Sequence, residues 1–110
     1  MKIYDQFHGE INAINIGKEL RMIIEKEKTN FKVLTGYGST SGKCVSKQMM
    51  IKVLIKLKKE DKIKGFLPGD IKYNLLDKMS IYYDDKIKYY NIIKNDPDFG
   101  NAGIIFVFMK

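Results

Sequence analysis

Apolar positions recur along this chain with two different periods, and the change from one to the other marks out its elements. Ile3 to Phe7 is short and mixed and reads as a first strand. From Asn12 or Asn15, either of them a suitable N-cap, the residues Ile16, Leu20, Ile23 and Ile24 recur at helical spacing. Gly17 costs this helix about 1 kcal/mol relative to Ala, and the pattern ends between Lys26 and Thr29. Phe31 to Leu34 reads as a buried strand and Val45 to Lys59 as the strongest helix. On that helix Val45, Met49, Met50, Val53, Leu54 and Leu57 share one broad face, with Lys52, Lys56 and Lys59 opposite at i, i+4 and i+7. Ile63 to Leu67 is a short strand candidate stopped by Pro68-Gly69.

From Asp70 to Phe99 the periodicity breaks down into a tyrosine-rich insert with one helix around Asp85 to Lys94, closed by the turn Asp96-Pro97-Asp98. Gly103 to Met109 is then almost continuously apolar, as expected of a strand covered on both faces. The order β-α-β-α-β-insert-β predicts right-handed crossovers and a mixed sheet with helices against it, with a partly helical insert (about 70–99) before the last strand. At 110 residues the chain makes one domain with one modest core.

Composition narrows the function classes. Apolar residues at 45% and charged residues at 30% are ordinary for a folded domain and exclude wholesale disorder. Cys44 is the one cysteine and His8 the one histidine, so a disulfide framework and a structural zinc site are both excluded. No apolar run approaches the roughly 20 residues needed to cross a bilayer, and the first residues lack a signal-peptide pattern. The expectation is a cytoplasmic protein without a membrane partner.

The net charge of +7 favours a polyanionic partner, although an AT-rich genome also yields such an excess of Lys, with Arg21 the one arginine, without selection for binding. The distribution is more informative than the sum. No acidic residue lies between Glu27 and Glu60, whereas Lys28, Lys32, Lys43, Lys47, Lys52, Lys56, Lys58 and Lys59 do. Within this stretch the predicted strand stops at Gly36-Tyr37-Gly38-Ser39-Thr40-Ser41-Gly42-Lys43, and the long helix follows at once. Glycines let successive amides point into one concavity, and such a nest ahead of a helix suits a phosphate. A Walker A loop is excluded by spacing. That motif has four residues between its first glycine and Gly-Lys, then Ser or Thr. Here Gly36 leaves five, Gly38 leaves three, and Cys44 follows the lysine. Phosphate contact through Gly36, Gly38, Ser39, Thr40, Ser41, Gly42 and Lys43, continued by Lys47 and the Lys52/Lys56/Lys59 row, does not need the motif.

Catalytic signals are sparser. His8 lies where the first strand gives way to a helix, the position at which α/β folds place their chemistry, and Asp5 is the nearest carboxylate. Proton transfer by His8 with Asp5 and simple exposure of a loop histidine both fit. Asp84-Asp85 and Asp96/Asp98 read as helix-start and turn residues, not metal ligands. The pairs Tyr82-Tyr83 and Tyr89-Tyr90 suit either base stacking or anchoring of the insert to the domain.

Three separated segments together resemble the Smr (small MutS-related) domain in its short stand-alone form. Leu34 to Lys43 is similar to the family's middle motif, a strand running into His-Gly-x-Gly and a short loop before a long helix. Lys62-Ile63-Lys64-Gly65-Phe66-Leu67-Pro68-Gly69 is similar to its next strand. Gly100 to Val107 is similar to its closing glycine turn and last strand. Thr35 stands where the middle motif carries histidine. In the first motif, aligning His8-Gly9 with the usual Leu-Asp-x-His-Gly puts Gln6 at the aspartate position. The preferred alignment, with the stand-alone form Ile-Asp-Leu-Lys-Asn-Gly, places Asp5 on the aspartate and makes His8 a replacement for asparagine.

The resemblance implies a small two-layer α/β sandwich of βαβαββ type on a mixed four-stranded sheet, in agreement with the pattern read above, and binding of DNA or RNA. It also implies, for parts of the family, endonuclease or nicking activity, with Asp5 and His8 as the candidate catalytic residues. A divalent metal, Mg or Mn, enters only on the nuclease reading. The competing reading is an inactive protein-interaction module or small-molecule phosphate binder, in which the lysines serve solubility and the insert is the contact surface.

Overall fold

The computed structural model describes residues 1–5, 7, 13–35, 45–73 and 78–110. In chain order the elements are β1 (Lys2–Tyr4), α1 (Ala13–Lys26), β2 (Phe31–Leu34), α2 (Val45–Lys59) and β3 (Gly65–Pro68). A 3-10 turn (Gly69–Tyr73), α3 (Tyr83–Ile93) and β4 (Ile104–Phe108) complete it. The sheet order is β1-β2-β4-β3. β1 lies parallel to β2, with Tyr4 beside Val33, and β4 is antiparallel to both β2 and β3. The three strands that precede crossovers or the insert therefore all point the same way.

Both helical crossovers step across the sheet in one direction, from β1 to β2 and then past β4 to β3. Connections of a single hand accordingly put α1 and α2 on one face. Ile16, Leu20 and Ile23 of α1 and Met50, Leu54 and Leu57 of α2 are buried there with Phe31, Val33, Phe66, Ile105 and Val107. The pleat sends alternate residues to the other face. Leu67, Ile104, Phe106 and Phe108 pack there with Ile71 and Ile93 of the insert. This explains the unbroken apolar run of β4, since each residue meets one of two cores and all five are buried. The arrangement is the expected two-layer α/β sandwich with its helical insert laid on the second face of the sheet.

Element boundaries follow the sequence pattern closely at β2 and α2 and drift elsewhere. β1 is shorter than the expected Ile3 to Phe7, with Phe7 buried just beyond it. α1 begins at Ala13, so Asn15 lies inside the helix; Asn12 is outside the described residues. β3 starts at Gly65 and includes Pro68, which is tolerated at the end of an edge strand. Ile63 is buried ahead of it, against α1 and α2.

α2 ends in a Schellman turn. Lys62 N donates to Leu57 O at 3.0 Å and Asp61 N to Lys58 O at 3.1 Å, with Asp61 at φ 61°. The tyrosine pairs anchor the insert. Tyr82 packs edge-on against Phe66 at 5.8 Å, and Tyr89 stacks on Phe108 with centroids 4.1 Å apart.

Candidate nucleic-acid interface

Because β1, β2 and β3 point the same way, their C-terminal ends share one sheet edge. Chemistry in α/β folds collects at such an edge. Asp5 follows β1, Thr35 follows β2, Asp70 follows β3, and the residues leading into antiparallel β4 arrive at the same edge. α2 starts here and runs back along the sheet.

Asp5 is exposed at this edge. Thr35 is not available to a ligand. It is fully buried, and both its N–H and its hydroxyl donate to the Gly103 carbonyl, at 2.7 and 3.0 Å. The residue at the motif-histidine position thus ties the end of β2 to the approach of β4. Asp70, which sequence reasoning passed over, belongs to the edge as well. Its Oδ2 lies 3.3 Å from Lys47 Nζ in the first turn of α2. Its negative charge adds to the burial that holds the Tyr82 phenol above its ordinary range. The missed signal was its position directly after a strand that ends at the functional edge.

Asp5 and Asp70 flank the edge rather than meeting on it. Three strand spacings separate β1 from β3, about 14 Å, too far for two carboxylates to share one metal ion. Among the described residues no three His, Cys, Asp or Glu side chains converge as a metal site would require. His8 and the loop Gly36, Gly38, Ser39, Thr40, Ser41, Gly42 and Lys43 lie outside the described residues.

Six of the described lysines of the acid-free stretch divide into two groups; Lys28, exposed after α1, belongs to neither. Three are committed to carboxylates. Lys32 is buried beneath the insert, 2.8 Å from Asp96 Oδ1 and 2.7 Å from Asp98 Oδ2. Lys58 meets the buried Asp85, and Lys47 meets Asp70. The acids come from elements distant in sequence, so a count of neighbouring charges could not reveal the pairing. Asp85 and Asp96 occupy the helix-start and turn positions expected of them and carry these ion pairs in addition.

The second group is the Lys52/Lys56/Lys59 row. All three are exposed and stand opposite the buried Met50, Leu54 and Leu57. Among the described residues no carboxylate lies within ion-pair distance of them. From Lys52 to Lys59 the helix advances about 10 Å, so these cations form a line leading away from the edge, not a point.

No described helix is long and apolar enough to cross a membrane. In comparisons with known proteins, the chain matches no protein-family model, no curated protein and no solved structure.

Proposed function

We propose that this protein is an Smr-like nucleic-acid-binding domain that contacts phosphates through the Gly36–Lys43 loop and the basic side of α2. The observation that supports this reading is the outward row Lys52, Lys56 and Lys59, exposed on a helix without a single acidic residue. That helix rises from the edge to which β2 delivers the loop. A line of three cations about 10 Å long, from Lys52 to Lys59, suits a polyanion with regularly spaced charges better than a single small anion.

Binding rather than cleavage is the activity proposed. Thr35 offers no titratable group, and its hydroxyl is already engaged with Gly103. The protein-interaction reading has an observation of its own: Met79, Ile81, Ile87, Tyr90 and Ile92 of the insert are exposed, although Tyr82 and Tyr89 are spent on Phe66 and Phe108.

The test is an equilibrium titration of labelled single- and double-stranded DNA and RNA at two salt concentrations, with and without Mg or Mn. Affinity should fall steeply with salt, because neutralised phosphates release counterions. Absence of binding at low salt, or affinity indifferent to salt, refutes the proposal. If cleavage appears with metal, Asp5→Asn separates the roles by abolishing it while binding persists.

A further inference from the structure

We infer that Asp70 sets the affinity of this interface by competing with nucleic-acid phosphate for Lys47, an inference that rests on the nucleic-acid reading. Lys47 is the lysine of α2 nearest the sheet edge, three residues into the helix. Its ammonium lies 3.3 Å from Asp70 Oδ2, with the lysine side chain 17% and the aspartate side chain 36% exposed. A phosphate arriving at that edge therefore meets a cation already neutralised. It must displace the carboxylate, exchanging one anionic partner for another with little net gain.

The carboxylate is held by the fold at its backbone. Gly69, immediately before it, accepts a hydrogen bond from Gly100 N at 2.9 Å. The Asn101 carbonyl oxygen occupies the space where a Cβ on Gly69 would stand. The backbone that carries Asp70 is thus clamped between the end of β3 and the segment leading into β4. Among the described residues Lys52 and Lys59 have no such competitor, and Lys56 feels the Glu60 carboxylate only at longer range, that carboxylate being paired with Arg21. Lys47 lies about 120–180° around α2 from Lys52, Lys56 and Lys59, so it is a separate, restrained cation at the start of the helix and not a member of the open row.

The experiment compares wild type, Asp70→Asn, Asp84→Asn, Lys47→Gln and the Asp70→Asn/Lys47→Gln double variant. Each is titrated with the same labelled oligonucleotides over a salt series, after thermal unfolding has shown that it is folded. Asp84 is exposed on α3, and its amide adds the same unit of charge as that of Asp70. Asp70→Asn should bind about five- to ten-fold more tightly near 0.1 M salt, with a salt slope steeper by about 0.7–0.9, the signature of one added phosphate contact. Asp84→Asn should change affinity by less than about two-fold. Relative to Lys47→Gln, the double variant should show no gain. An equal gain in Asp84→Asn, no gain in Asp70→Asn, or a gain that survives loss of Lys47 overturns the inference while leaving the binding proposal intact. If neither wild type nor Asp70→Asn binds at low salt, the binding proposal itself has failed.

Discussion

Lys58 Nζ lies 3.1 Å from each carboxylate oxygen of Asp85, joining α2 to the first turn of α3 across the outer edge of β3. The same carboxylate accepts the Phe66 N–H at 3.2 Å. An exposed edge strand offers unpaired backbone groups to other chains, and Asp85 covers one of them. Gly65 is part of the arrangement, because a Cβ there would stand 2.6 Å from Asp85 Oδ2.

Asp85→Ala should destabilise the domain by about 2–3 kcal/mol, since it strands the buried Phe66 N–H and removes the partner of Lys58. Gly65→Ala should cost about 1–3 kcal/mol by overpacking against the carboxylate. The two costs should be non-additive, because removing the carboxylate opens the space that the new methyl needs. Urea unfolding of both single variants and the double variant reads the coupling, and strict additivity would refute the contact.

The ion pairs of Lys32 should give stability a pH dependence at the acid end. Burial alone would push Asp96 up, but hydrogen bonding to Lys32 and to the Asp98 N–H outweighs it and holds the carboxyl below the ordinary 3.8. For Lys32, burial alone would lower the ammonium, yet Asp96 and Asp98 hold it above 10.5. A lowered carboxyl stabilises fully above its unfolded value and loses that contribution as pH falls through the folded one. Asp96→Asn should therefore be less stable than wild type by about 1–2 kcal/mol at neutral pH. The gap should close below the ordinary 3.8. Denaturant midpoints across that range decide it; a gap independent of pH would show that the ion pair is not its source.

Backbone conformation yields two stabilising substitutions of opposite chemistry. Gly17 is helical, and a Cβ there would make ordinary contact with Val53 Cγ2 at 3.7 Å. Gly17→Ala should accordingly stabilise by about 1 kcal/mol. Asp61 sits at φ 61° in the turn that ends α2, so Asp61→Gly should stabilise by about 0.5–1 kcal/mol. Its exposed pair with Lys110 offsets little of that gain. A fall in unfolding temperature for either variant would contradict the local geometry.

Replacing Lys52, Lys56 and Lys59 together with Gln should leave stability nearly unchanged, because all three are exposed. If the row contacts phosphates, the salt slope of nucleic-acid binding should fall by about 2–3. Retained slope with retained fold would move the interface away from α2.

The pattern along the chain determined the order of elements and the class of fold. α2 carries a regular helical apolar period, and the short run of β2 and the near-continuous run of β4 have strand length, with both faces of β4 covered. It also determined which side of α2 meets water, since Lys52, Lys56 and Lys59 repeat at the spacing that opposes Met50, Leu54 and Leu57.

Tertiary structure alone decided which charges remain available. Lys32 and Lys52 look alike in the acid-free stretch, yet one is buried against Asp96 and Asp98 and the other is exposed. Lys47 and Lys58 are likewise matched with Asp70 and Asp85, which lie 23 and 27 residues away. Helical and strand periods are local and can be read from neighbours. Ion pairing depends on which elements the sheet order brings together, and that is settled only when β3 and the insert close over β4.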